Sequence, residues 1–246
     1  YEEAVSAPSE KQHNMSDELL ATYVSNANYD GTIYNDDSDG MPITGAKNGV
    51  KLADLRGLDY DDPKWDDLLD ELTYEGRENM IEFGGWPTAA IKSIDKGETA
   101  ECDGPAGVNN FMTQHYGTSY CVEVMLAQTW SKEIAEKFGE AMGQEFADID
   151  NYGWDGPAMG THRSAFGGRN FEYYSEDGVL GGYIGAAEIN GAATKGVYAY
   201  LKHFALNDQE INTREMLCTW TTEQAMREIY LKPFEVAIKN FEGTSI

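Results

Sequence analysis

Four times along this chain a short apolar stretch runs into a polar loop and then into a segment of helical periodicity. Thr99–Asp103, Val122–Trp130, Tyr152–Met159 and Val197–Leu201 read as strands, and Gly243–Ile246 reads as the start of a fifth. Ile134, Phe138, Met142 and Phe146 recur every four residues and predict a helix over 131–147. An Ala- and Gly-rich stretch predicts another over 180–195, and Thr221-x-x-Gln224 reads as a capping box opening a third through Met226, Ile229, Phe234 and Ile238. Alternating strands and helices predict an α/β fold with a parallel sheet. Right-handed crossovers then bring the C-terminal ends of the strands to one edge, in a closed barrel or in a doubly wound sheet. Asp103-Gly104-Pro105, the stretch Met159 to Asp177, and Lys202-His203 all follow strands directly and so share that edge.

The N-terminal part is patterned differently. Ser, Asn, Asp and Gly dominate from Ser25 to Gly49, so residues 1–54 read as an extended linker or wrapping arm, and residues 55–246 as the α/β body. Asn35 to Gly40 mimics the first half of a calcium loop, but the twelfth position is Ala46 where an acid is required, which leaves an acidic turn. Asp62 followed by Pro63 signals a helix start, with Trp65, Leu68, Leu69 and Leu72 on one face. Gly84-Gly85 ends the helix after it.

Composition enters by exclusion. The chain has 246 residues and a formal charge of −25, a surface that repels phosphate backbones, so a nucleic-acid partner is not expected. No apolar run is long enough to cross a bilayer and no signal peptide opens the chain, so no membrane partner is expected and the compartment stays open. The first residue is Tyr1, which suggests a piece of something longer. Cys102, Cys121 and Cys218 form no CxxC pair, so buried free thiols are expected rather than a zinc site. Trp130, Trp154 and Trp220 are read as core before they are read as sugar-stacking platforms.

The chemistry concentrates in the loop His162 to Asp177, which sets Arg163, Arg169, Glu172, Glu176 and Asp177 around a Gly167-Gly168 pivot. At the other strand ends stand Asp103, Lys202 and His203. A carboxylate that only accepts, two cations that only donate and an imidazole that does either can together grip vicinal hydroxyls. Burying such charges is costly unless they are paired, so their convergence implies a polar ligand or mutual salt bridges.

Taken in order, Asp103-Gly104-Pro105-Ala106-Gly107-Val108, His162-Arg163-Ser164 through Gly167-Gly168-Arg169-Asn170-Phe171-Glu172-Tyr173-Tyr174-Ser175-Glu176-Asp177, Lys202-His203-Phe204-Ala205-Leu206-Asn207-Asp208-Gln209-Glu210, and Arg227 to Glu235 resemble the barrel domain of a glycoside hydrolase family 3 enzyme of the β-glucosidase type. The likeness runs from about Leu52 to Ile246. It implies an incomplete (β/α)8 TIM-type barrel, about four βα units and the start of a fifth, preceded by the extended arm. Asp103 matches the family's carboxylate at the innermost sugar subsite, and Arg169, Lys202 and His203 match its hydroxyl-binding donors. Asn207-Asp208-Gln209-Glu210 is similar to the β-glucosidase and β-xylosidase branches rather than to the N-acetylglucosaminidases.

The departures are as informative. Asn109 stands where the family often has arginine, which keeps a donor and an acceptor but removes the charge that would anchor a hydroxyl there. Gly160 replaces a common asparagine, and Asn212-Thr213-Arg214 is one residue longer than usual. Retaining glycosidases need two carboxyl groups roughly 5–5.5 Å apart. The family's nucleophile lies in a Ser/Thr-Asp-Trp motif that this chain lacks, so no catalytic residue is assigned, and Asp103, Glu172 and Glu210 are read as sugar-binding or structural. The resemblance calls for no cofactor or metal; His203, Asp208 and Glu210 fit no strong metal template. The expected substrate is a β-glucoside or cello-oligosaccharide, with a β-xyloside as the alternative. The expected partners are the remainder of the barrel and a sandwich-like domain, in the same parent chain or a companion chain. The competing reading is a non-catalytic sugar-binding or scaffold fragment.

Overall fold

A computed structural model describes residues 15–27, 30–210, 212, 214 and 219–242. It divides into two compact units, residues 1–43 and 44–246. In the first, helix α1 (Asp17–Ala27) starts at Ser16, whose hydroxyl accepts the Leu19 N–H at 3.2 Å. This helix lies where weak patterning predicts extended chain. Leu19, Leu20, Tyr23 and Val24 do share helical spacing, but over too few turns to stand out. The Asn35 to Gly40 run forms an acidic turn, with Asp36 Oδ1 accepting the Ser38 N–H at 2.9 Å.

The second unit opens with a small satellite core of Leu55, Leu68, Leu72, Ile91 and Ile94. Helix α2 (Lys64–Glu71) begins one residue later than the Asp62-Pro63 signal, with Pro63 in the cap position and Asp62 Oδ1 accepting the Lys64 N–H at 2.9 Å. Leu69 of its predicted apolar face is half exposed. Helix α3 (Tyr74–Glu82) is capped by Thr73 and stops before Gly84-Gly85.

The sheet has the order β3-β2-β1-β4-β5, built from β1 (Ala100–Asp103), β2 (Asn109–Asn110), β3 (His115–Tyr116), β4 (Asn151–Asp155) and β5 (Tyr198–Ala199). Strands β1, β4 and β5 run parallel, while β2 and β3 extend the sheet antiparallel. The sheet is therefore mixed. Past the short β5 ladder the pairing continues irregularly, through Tyr200 N–H to the Trp154 carbonyl at 2.8 Å and Lys202 N–H to the Pro157 carbonyl at 3.2 Å.

Two further expectations change. Val122–Trp130 is not a strand; it carries helix α4 (Glu123–Ala127), and its buried positions, Glu123, Leu126 and Ala127, fall at helical spacing. An acid facing inward hides that period from a sequence pattern. The last helix is not continuous. Thr222, rather than Thr221, caps α7 (Glu223–Ala225), a π turn follows at Met226–Tyr230, and α8 (Lys232–Asn240) starts afresh. Pro233, lacking an N–H, suits the first turn of a new helix better than the middle of an old one. The proposed fifth strand at 243–246 and Cys218 lie outside the described residues.

Helices α5 (Lys132–Asp148) and α6 (Gly178–Ala193) match their sequence patterns to within two residues. Ser131 caps α5 by accepting the Ile134 N–H, and Asp177 caps α6 by accepting from Val179 and Leu180. The two helices pack backbone to backbone. A side chain at Gly139 would run into the Glu188 carbonyl, and one at Gly191 into that of Glu136. Phe138, Met142 and Phe146 of α5, with Ile184 and Ile189 of α6, cover one face of the sheet, where Cys102, Trp154 and Ala199 point. By the two-residue period of a strand, Glu101 and Asp103, Gly153 and Asp155, and Tyr198, Tyr200 and Lys202 belong to the other face. That face is polar: Tyr200 donates to Glu101 Oε1 at 2.6 Å, and Tyr198 donates to the same oxygen at 3.2 Å.

Candidate functional site

The C-terminal end of this polar face carries the site. Asp103 is the last residue of β1 and Asp155 the last of β4, and the two are register partners in the parallel ladder. Lys202, 7% exposed, reaches across both: its ammonium donates to Asp103 Oδ1 and, at 3.3 Å, to Asp155 Oδ2. Asp103 Oδ1 also accepts the Gly104 N–H at 2.8 Å. The turn after β1 is held by the buried Trp154 indole, which donates to the Gly104 carbonyl at 2.9 Å. Gly104 has φ 138°, and a side chain there would overlap Gly107, so this position is closed to other residues.

His203 follows Lys202 through a cis peptide. Its Nδ1 lies 3.1 Å from the Tyr173 hydroxyl, with the rings edge to face at 6.0 Å. Burial, then the nearby Arg169 and Lys202 cations, lower the imidazole to about 4, so it is neutral at pH 7. A neutral imidazole has one donor and one acceptor nitrogen, whereas a protonated one only donates. Burial likewise pushes the Tyr173 phenol up to about 12.

Arg169 pairs with Glu172 through Nε and lies 3.8 Å from Glu210. Burial works against its charge, but the Glu172 carboxylate overrides it and holds the guanidinium above its ordinary value. Glu172 is buried under this pair. Burial tends to raise Glu210, yet Arg214 at 2.8 Å and Asn207 at 3.1 Å keep it below the usual carboxylate range. Asn109 stands on β2 directly across from Asp103, and is exposed.

The structure thus joins Lys202 directly to Asp103 and sets His203 within the fields of Arg169 and Lys202. Other charges of the 162–177 loop serve the fold instead: Asp177 caps α6, and Glu176 pairs with Arg163 at 3.2 Å. Beneath the site lies Glu123, fully buried and with no side-chain partner among the described residues. Burial raises it to about 8, against the pull of its own backbone N–H; Glu172 adds to the rise and Lys202 opposes it.

Asp155, which no sequence motif singled out, joins Asp103 at Lys202. A signal was present: Asp103-Gly104-Pro105 recurs as Asp155-Gly156-Pro157. Three smaller expectations are corrected. Trp154 is core, but Trp130 is 75% exposed and Trp220 40% exposed, and both lie outside helices and strands. Cys102 is a buried free thiol, but Cys121, at the mouth of α4, is exposed. Among the described residues no helix is long and apolar enough to cross a membrane.

Residues 101–244 match the family model described as the glycosyl hydrolase family 3 N terminal domain. The chain is 38% identical over 167 residues to β-glucosidase A of Butyrivibrio fibrisolvens, which covers 67% of this chain and 19% of that protein. It is 36% identical to a β-glucosidase of Rhizobium radiobacter, over 71% of this chain and 22% of that one. Among solved structures it is similar to β-glucosidase 3B of Thermotoga neapolitana in complex with α-D-glucose, with TM-score 0.63, 35% identity, and coverage of 72% of this chain and 28% of that one. It is also similar to a β-glucosidase of Paenibacillus barengoltzii, with TM-score 0.69, 28% identity, and coverage of 85% and 23%. The chain spans about a fifth of the length of the curated relatives it matches.

Proposed function

The chain belongs to glycosyl hydrolase family 3, and on that premise we propose that it is the substrate-binding part of a retaining, exo-acting β-glucosidase. Its mixed sheet is read as the first part of a (β/α)8-type barrel, with residues 1–54 as the connecting arm and 55–246 as barrel. In this reading Asp103 accepts hydrogen bonds from the hydroxyls of a terminal glucosyl residue, while Lys202, Arg169 and the neutral His203 donate to them. Asn109 borders the same subsite. The nucleophile and the acid/base come from outside this chain, in the remainder of the barrel and a further domain.

The observation that carries the reading is the contact of Lys202 with Asp103 on the polar sheet face, beside His203 and Arg169. Lys202 is already paired with Asp103 and Arg169 with Glu172, so neither cation has to be stripped of a partner when a neutral sugar arrives. Hydroxyl contacts of this kind tighten as the ring flattens toward the oxocarbenium-like transition state. The β-glucosidase names of the matched relatives agree with a neutral sugar substrate.

The test is hydrolysis of p-nitrophenyl β-D-glucopyranoside by the full-length protein. Glucose should be released with retained configuration. D103A should lower kcat/KM by about 100-fold or more, as expected when a charged group hydrogen-bonded to substrate is removed. The isolated 246-residue chain should release no p-nitrophenol. Release by that chain, or an unchanged D103A, contradicts the assignment.

A further inference from the structure

We propose that Asp155 is a substrate-binding residue of this site: a second carboxylate that, side by side with Asp103, accepts hydrogen bonds from the sugar. The inference rests on the sugar-binding reading above and deepens it. Three observations support it. Asp103 and Asp155 are register partners at the ends of neighbouring parallel strands, and each is followed by Gly-Pro. Both engage the same Lys202 ammonium. Their side chains remain 32% and 31% exposed, whereas that of Lys202 is 9% exposed, so the carboxylates face the mouth and the lysine lies beneath.

The hydrogen-bond accounting shows what is left for a ligand. An ammonium has three donors, and two go to Asp103 and Asp155. Lys202 uses Oδ1 of Asp103 and Oδ2 of Asp155, which leaves the second oxygen of each carboxylate for other donors. Strand spacing sets such a pair about 5 Å apart. That separation matches hydroxyls on next-adjacent ring carbons, whereas one carboxylate alone takes a vicinal pair. Two carboxylates around one ammonium also leave a surplus negative charge, which favours hydroxyl donors over phosphorylated or carboxylated sugars.

The experiment measures kcat/KM of the full-length wild type, D155A and D155N on p-nitrophenyl β-D-glucopyranoside and its 3-, 4- and 6-deoxy analogues. Removing a hydrogen bond to a charged group should cost D155A about 10- to 150-fold on the parent glucoside. On the analogue lacking the hydroxyl that Asp155 contacts, the same substitution should cost less than about 3-fold. D155N keeps one acceptor oxygen and should fall between, with the same substrate dependence. This variant carries the test if D155A does not fold. An equal loss on every substrate means that Asp155 only positions Lys202, and overturns the proposal. So does a loss below about 3-fold on the parent glucoside, where the full hydrogen-bond penalty is expected. A wild type inactive on every β-glycoside overturns the underlying reading instead, and is distinguishable from both.

Discussion

Glu123 offers the sharpest test of how this site is supported. Its carboxyl is fully buried in α4, beneath Glu172 and Lys202, and stays protonated up to about pH 8. The sign follows from linkage. Between pH 4.5 and about 8 the folded protein holds a proton that the unfolded chain has released. Stability therefore falls as pH rises through that window. The span from 4.5 to about 8, at about 1.4 kcal/mol per tenfold change in proton affinity, gives an upper figure of about 5 kcal/mol. Relaxation and water entry at high pH reduce it, so about 2–5 kcal/mol is the working range. Glutamine copies the neutral acid in shape. E123Q should thus melt within about 2 °C of wild type at pH 5 and about 4–20 °C above it at pH 9, taking 2–4 °C per kcal/mol for a domain of this size. The assay is thermal melting of the full-length protein and E123Q across pH 5–9. Parallel curves, with a gap that does not grow with pH, refute the argument, because they mean that Glu123 ionises without cost.

His203 should titrate with a pKa near 4 in a histidine-resolved NMR experiment; a value above 6 contradicts the burial and the Arg169 and Lys202 fields described for it. Because this pKa is lowered, the stability linked to it is present above about pH 6.5 and is lost as pH falls toward 4. G139A should destabilise by about 1–3 kcal/mol despite alanine's better helix propensity, since its methyl meets the Glu188 carbonyl. Urea denaturation reads this, and a more stable G139A refutes the tight α5–α6 packing.

The parts of the fold that were legible are those where periodicity and burial agree. Phe138, Met142 and Phe146 mark α5 because the apolar residues are the buried ones. The α4 segment fails for the opposite reason: its innermost residue is Glu123, which no hydrophobic pattern registers. The break near Pro233 needed the proline to be weighed against a helical spacing that spans it. Of the proposed site, Asp103, Arg169, Lys202 and His203 stand in motifs that the sequence displays. The placement of Asp155 beside Asp103 depends on the register of β4 against β1, which the side-chain period of either strand alone does not encode.

Strand β1 has β4 along one edge, and on its other edge the antiparallel β2 takes Asp103 alone. The β2–β3 hairpin therefore turns against the parallel strands at the tip of β1, where Asp103 stands. A circle of strands drawn through that hairpin is not parallel throughout, and the hairpin marks the seam where its direction reverses.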